Sequence, residues 1–260
     1  MPRLQPPIAL TIAGSDSGGG AGIQADLKTF HARGVHGLSV VTAITAQNTR
    51  EVSAVHLIPP AHIRSQLTAV FDDFPIAAVK TGMLGSAAVT RLIAREMDAR
   101  KPAWLVVDPV MVATSGARLL DADAVQMLIE ELIPLADILT PNLPEAELLL
   151  GHPIQTAAQF DAAGEALLAF GAGAVLLKGG HAGENEVVDR YYDARGVLEL
   201  RHPRLPLEGH GTGCTLASAI AAELAKGQVP RLAVRRAVAY VHRALTQAYQ
   251  PGAGAHVLRH

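Results

Sequence analysis

The feature that most constrains this chain is the alternation of short apolar runs with longer amphipathic ones along most of its length. Apolar runs cover residues 8–13, 38–45, 52–58, 76–80, 104–108, 138–140 and 174–178. Strands covered on both faces read this way, because neither face meets water. The intervening segments 21–33, 61–71, 87–99, 122–132, 144–150 and 157–170 repeat apolar residues at helical spacing. Strands that alternate with helices need crossover connections, which predicts a mostly parallel sheet flanked by helices. Leu198-Glu199-Leu200-Arg201-His202 instead alternates apolar and polar, so an antiparallel hairpin over residues 187–202 is expected at one edge. Two helices, 212–226 and 231–247, close the pattern. No repeat, low-complexity tract or Pro/Gly/Ser-rich linker divides it. The expected fold class is α/β, one doubly wound domain over residues 1–260.

Composition narrows the function classes. Hydrophobic residues make up 49% of the 260 and charged ones 18%, which excludes a disordered chain. The formal net charge is −2 with both signs interspersed, so neither nucleic acid nor an anionic membrane is expected as partner. A lone cysteine, Cys214, fits a reducing compartment and excludes an internal disulfide. No apolar stretch approaches the roughly 18 residues of a membrane helix, and none precedes the first strand as a signal core. A cytoplasmic protein acting on a small molecule is expected.

Ligands of doubly wound sheets sit beyond the carboxyl ends of the strands. The unusual residues gather there: 14–22, Gln47-Asn48-Thr49, Thr81-Gly82-Met83, Asp108-Pro109-Val110-Met111, Pro141-Asn142-Leu143-Pro144-Glu145 and Lys178-Gly179-Gly180-His181. The run Gly14-Ser15-Asp16-Ser17-Gly18-Gly19-Gly20-Ala21-Gly22 lets backbone approach a ligand and exposes amides at a helix start. It matches neither a Walker A loop nor a GxGxxG fingerprint. A second turn, Gly209-His210-Gly211-Thr212-Gly213-Cys214-Thr215, feeds a small-residue helix whose first amides and positive end suit a phosphoryl group in transfer. Cys214 falls in its first turn, where the dipole favours the thiolate. Asp108 and Glu145 offer the hard oxygen ligands that magnesium takes. Lys178 offers a point charge for phosphates. Read singly, each has a plainer account. Asp26 complements a helix dipole, Cys214 fills a core, Asp108 ends a strand, Glu145 caps a helix and Lys178 lies along the rim. The eleven histidines show no ligand-like clustering, so no transition metal is expected.

Taken in order, these segments resemble the bacterial hydroxymethylpyrimidine/phosphomethylpyrimidine kinases. The resemblance runs from Ala9–Asp16 and Gly19–Thr29 through Val41–Thr49, Lys80–Leu84 and Val107–Met111. It continues through Thr140–Ala146 and Leu177–His181 to His210–Leu216. It implies a ribokinase-like fold and two successive transfers from Mg-ATP. The first goes to 4-amino-5-hydroxymethyl-2-methylpyrimidine and the second to its monophosphate, on the route to thiamine. By position it implies that Gln47 and Asp26 bond the aminopyrimidine. Met83 and Val110 pack near its ring, and backbone at Gly14 and Ala21 lines the pocket. The turn Gly211-Thr212-Gly213-Cys214 forms the anion hole, Asp108, Asn142 and Glu145 organise Mg²⁺ and phosphates, and Lys178 faces ATP. Cys214 stands where most ribokinase-like enzymes place an Asp base, so it is expected to serve as base in the first transfer. The second needs none, since its acceptor is already an anion. Gly18 replaces a serine usual in the family, which removes one side-chain contact. A homodimer is the expected assembly, and no fused thiamine phosphate synthase domain is expected. Two other readings compete. A pyridoxal/pyridoxine kinase of the same branch differs at Gln47-Asn48-Thr49. A non-catalytic ligand sensor would have eroded Gly211, Gly213, Cys214, Asp108 or Glu145, and all five are present.

Overall fold

The computed structural model describes residues 5–112, 120, 122–179, 185–207 and 209–260. Gly180 and His181 of the lysine motif therefore lie outside the described residues. The chain runs β1 (Ile8–Asp16), α1 (Gly22–Ala32), β2 (His36–Gln47), β3 (Val52–Leu57), α2 (Pro60–Asp73), β4 (Ala78–Thr81), α3 (Ala87–Arg100) and β5 (Leu105–Val107). Next come α4 (Ala122–Met127), a wider and then a tighter helical turn to Leu135, β6 (Ile138–Leu139), α5 (Leu143–Leu150), α6 (Ala157–Leu168) and β7 (Val175–Leu177). The hairpin β8 (Glu186–Asp193) and β9 (Gly196–Pro203) follows, then β10 (Gly209–His210), α7 (Thr212–Ala225), α8 (Pro230–Thr246) and β11 (His256–Val257).

One nine-stranded sheet is ordered β3-β2-β1-β4-β5-β6-β7-β8-β9. Strands β2, β1, β4, β5, β6 and β7 are parallel, and β8–β9 is the expected antiparallel hairpin. The chain leaves β1 toward β2 and returns to its other side as β4, so the switch point of the sheet lies at the end of β1. At the opposite edge β3 runs antiparallel to β2. Only residues 48–51 join them, too few for a parallel crossover. The Asn48 side chain closes that turn by accepting from the Arg50 and Glu51 amides.

Side chains divide across the sheet as a period of two requires. Leu10, Ile12, Val79, Leu105 and Val107 pack with the α2–α6 side, whereas Ala9, Ala78, Val106 and Leu176 pack with α7 and α8. On α7, Ala217, Ala219, Ala221 and Ala222 are fully buried. Small side chains let this helix lie close to the strands, which brings its N-terminus to the rim.

A buried ion pair ties these parts together. Lys80 of β4 and Asp26 of α1 are both inaccessible to solvent, with Nζ 2.9 and 3.1 Å from the two carboxylate oxygens. Thr11 of β1 and Ser218 of α7 each donate to the same carboxylate at 2.6 Å. Burial works against the Lys80 charge, but the neighbouring Asp26 more than offsets it and raises its pKa above the usual lysine range. Removing one partner strands the other, which typically costs about 3–5 kcal/mol, whereas removing both does not. Lys80→Met should therefore lower the urea midpoint sharply, and Lys80→Met/Asp26→Leu should recover part of that loss. Additive losses in the double variant would show that the two residues are not coupled.

Candidate active site

Both glycine turns meet at the switch point. Asp16, at the end of β1, is 3% exposed and draws the first turn around its carboxylate. The amides of Gly18, Gly20 and Ala21 donate to it at 2.7, 3.0 and 2.8 Å, and His210 Nε2 lies 3.1 Å from Oδ2. Burial opposes the charge, but His210 and the Ala21 and Gly18 amides hold this carboxyl below the usual range. Lys28 donates to the Gly19 carbonyl from one turn into α1. The second turn packs directly on the first. Gly211 has φ 80°, and a Cβ there would collide with the Gly20 carbonyl oxygen, so only glycine fits. Gly22, at φ 54°, is constrained in the same way by the Gly14 carbonyl.

Beyond Gly211, α7 begins at Thr212 and points its N-terminus at a cluster of charges. A Cβ on Gly213 would lie 3.2 Å from Lys178 Nζ and 3.8 Å from Asp108 Oδ2. Lys178 Nζ in turn lies 3.4 Å from Asp108 Oδ1 and 3.8 Å from Glu145 Oε2. Asn142 and Glu145 form a capping box that starts α5, the Asn142 side chain accepting from the Glu145 amide and the reverse. Burial pushes the Glu145 carboxyl up to about 7, with Lys178 opposing and Asp108 adding to the rise. Burial lowers and then Asp108 and Glu145 raise the Lys178 ammonium, with a net rise. Two buried carboxylates beside one ammonium offer oxygen donors of the kind a divalent cation takes, and two such donors plus phosphates are what Mg²⁺ takes. Among the described residues no group of three or more His, Cys, Asp or Glu could hold a metal.

The placement of the expected residues is uneven. Met83 and Gly14 are neighbours: a Cβ on Gly14 would stand 3.2 Å from Met83 Sδ. Val110 lines a small crevice with Thr81, Gly82 and Asp108. Gln47 bounds a cavity of about 590 Å³ shared with Asn48, Thr49, His210, Gln250 and His256. Asp26 departs from its expected place. Its carboxylate is sealed, and Lys80, Thr11 and Ser218 fill its acceptor positions, leaving none for a ligand. The surroundings of Cys214 work against its thiolate. Burial pushes the thiol up to about 12; Lys80 opposes this, while Asp26 and Asp108 reinforce it.

Three contributors had no role from the sequence. Lys80 was legible as a charge inside an apolar run, and Asp16 as an Asp two residues before a glycine. The third, the segment after α8, offered no pattern. It pairs β11 with β10, and its Gly254 and Ala255 amides bond Thr49, so it straps the Gln47 loop to the anion-hole turn.

Comparison with known proteins agrees with this geometry. Residues 16–259 match the phosphomethylpyrimidine kinase family model. The chain is 52% identical to the hydroxymethylpyrimidine/phosphomethylpyrimidine kinase of Rhizobium meliloti, over 93% of this chain and 91% of that one. It is 50% identical to the thiamine biosynthesis bifunctional protein of Geobacter sulfurreducens over 94% of its own length, but spans only about half of that relative. The ADP complex of Bacillus subtilis pyridoxal kinase superposes with a TM-score of 0.91 at 36% identity, covering 97% of both chains. No helix among the described residues is long and apolar enough to cross a membrane. With glycine turns, carboxylates and α7 in one rim and the match spanning nearly its whole length, the chain belongs to the phosphomethylpyrimidine kinase family.

Proposed function

We propose that this chain, as one kinase domain, transfers the γ-phosphoryl group of ATP first to hydroxymethylpyrimidine and then to its monophosphate, supplying the diphosphate for thiamine assembly. The observation that carries the reading is the convergence of Lys178, Asp108 and Glu145 on the N-terminus of α7 at Gly213. Phosphoryl transfer passes through a loose transition state with charge spread over peripheral oxygens, so catalysis is chiefly positioning and electrostatics. The first-turn amides of α7 and its dipole face that charge, and the Lys178 ammonium adds to them. Asp108 and Glu145, with Asn142 ordering the turn, are the residues that would hold Mg²⁺, which when bound neutralises phosphate charge. Gln47 and the backbone of Gly14 and Ala21 hold the pyrimidine, with Met83 and Val110 against its ring.

Cys214 acts on the hydroxyl of the first acceptor. It serves as base in its thiolate form, Sγ taking the hydroxyl proton as that oxygen attacks the γ-phosphorus and ADP leaves. The second acceptor is an anion and needs no such help. The exposed apolar residues Ile44, Val55 and Leu57 of β2 and β3, at 51%, 43% and 41% exposure, support a homodimer through that edge. A cytoplasmic setting accords with the single cysteine.

The competing substrate is pyridoxal, favoured by the fold likeness to a pyridoxal kinase but at lower identity than the pyrimidine kinases. An ADP-release assay with hydroxymethylpyrimidine, its monophosphate and pyridoxal in parallel should show turnover of the first two. Turnover of pyridoxal alone would overturn the substrate and leave the kinase standing. Cys214→Ala should lose more of the first transfer than of the second, read as two separate kcat values. Equal loss in both, or none in either, would remove Cys214 from the hydroxyl chemistry.

A further inference from the structure

With hydroxymethylpyrimidine as acceptor, as proposed above, substrate choice turns on which end of the Gln47 amide faces the cavity. The two ends have the same shape, so protons decide between them. As placed, Nε2 lies 3.1 Å from His210 Nε2 and Oε1 lies 3.1 Å from Thr45 Oγ1. Thr45 has one hydroxyl proton, and the Ser15 carbonyl oxygen at 2.9 Å, which only accepts, takes it. Thr45 must then accept from Gln47, so the group facing it is the NH₂. The His210 side gives the same answer. Asp16 Oδ2, ionised and already receiving the Gly20 and Ala21 amides, accepts from His210 Nε2. That nitrogen carries a proton, and the Gln47 atom beside it is the oxygen. Turned over, the amide meets the His210 N–H with its oxygen and Thr45 with its NH₂, whereas as placed its NH₂ opposes the His210 N–H, donor against donor.

We infer that Asp16 and His210 are positioning residues for Gln47: the His210 Nε2–H, drawn toward Asp16 and shared with Gln47 as a three-centre bond, holds its amide oxygen, Thr45 accepts one N–H, and the remaining N–H is offered to the acceptor ring. A donor fixed in this way selects a six-membered ring with a nitrogen at that edge and disfavours one with a carbon there. The selection is for pyrimidines over pyridines. Gln47 and His210 both line the 590 Å³ cavity. His210 is also locked in place by Val257 and the pairing of β10 with β11, and both it and Val257 crowd the Gly20 position. The ring is thus held from three sides.

The test is a double-mutant cycle in the intact chain, with Gln47→Ala, His210→Leu and both together, each assayed with hydroxymethylpyrimidine, ATP and pyridoxal. Leaving the Gln47 oxygen without its donor should raise KM for hydroxymethylpyrimidine about tenfold. KM for ATP should stay unchanged, and the preference over pyridoxal should shrink. His210→Gln, which restores an N–H donor, should recover most of the loss. The double variant should bind the pyrimidine no worse than Gln47→Ala alone, because His210 acts through Gln47. Additive KM effects, or a fall in kcat with KM unchanged, would overturn the inference and leave His210 as a support of the anion-hole turn only. Should His210→Leu fail to fold, Thr45→Val removes the other anchor of the same amide. It should raise the same KM, and an unchanged KM would count against the inference. A wild-type chain that ignores hydroxymethylpyrimidine would overturn the substrate reading and this inference together. Additivity in an active wild type overturns only the latter.

Discussion

The carboxylate of Asp26, sealed between Lys80, Thr11 and Ser218, is the interaction on which the rest of the site depends. Its four contacts, made from α1, reach β1, β4 and α7. These are the elements that carry the first glycine turn, the Thr81–Met83 rim and the anion-hole turn. An ion pair with no solvent access is weak as a source of stability, because desolvating both charges offsets most of their attraction. Its value is directional. A carboxylate with every acceptor position filled admits one arrangement of its donors, and the helix carrying Ser218 also carries Cys214 one turn earlier. The N-terminus of α7 is thereby set against the strand ends.

Above that pair the two glycine turns interlock rather than merely adjoin. Asp16 gathers three amides of the first turn and reaches His210 of the second, and the absence of side chains at Gly211 and Gly22 lets backbone touch backbone. The result is two clusters on one rim, Gln47, Thr45 and His210 in one and Lys178, Asp108 and Glu145 in the other. Cys214 lies in the first turn of α7, where burial and the acids nearby work against its thiolate.

Much of this was readable along the chain. Apolar runs alternating with amphipathic ones produced every strand from β1 to β7 and the β8–β9 hairpin close to their observed limits. The direction of β3 was not readable from its period, which is the same whichever way a strand runs, but from the short connection that precedes it. Nor was the pairing of β10 with β11, since two-residue strands carry no periodicity. The pairing of Asp26 with Lys80 was not readable for a related reason, since the two lie fifty-four positions apart and meet only in the fold.

By itself the sequence determined the class of fold, the rim on which the chemistry sits and the phosphate-handling character of its two glycine turns. All of these follow from local rules of burial, period and backbone freedom. Tertiary structure alone decided which charges are paired and which side chains meet. Asp26 became a structural anchor, Cys214 a thiol whose surroundings oppose ionisation, and Gln47 a neighbour of His210. Each of those outcomes depends on burial and on donors brought together from distant segments, and neither quantity exists until the chain has folded.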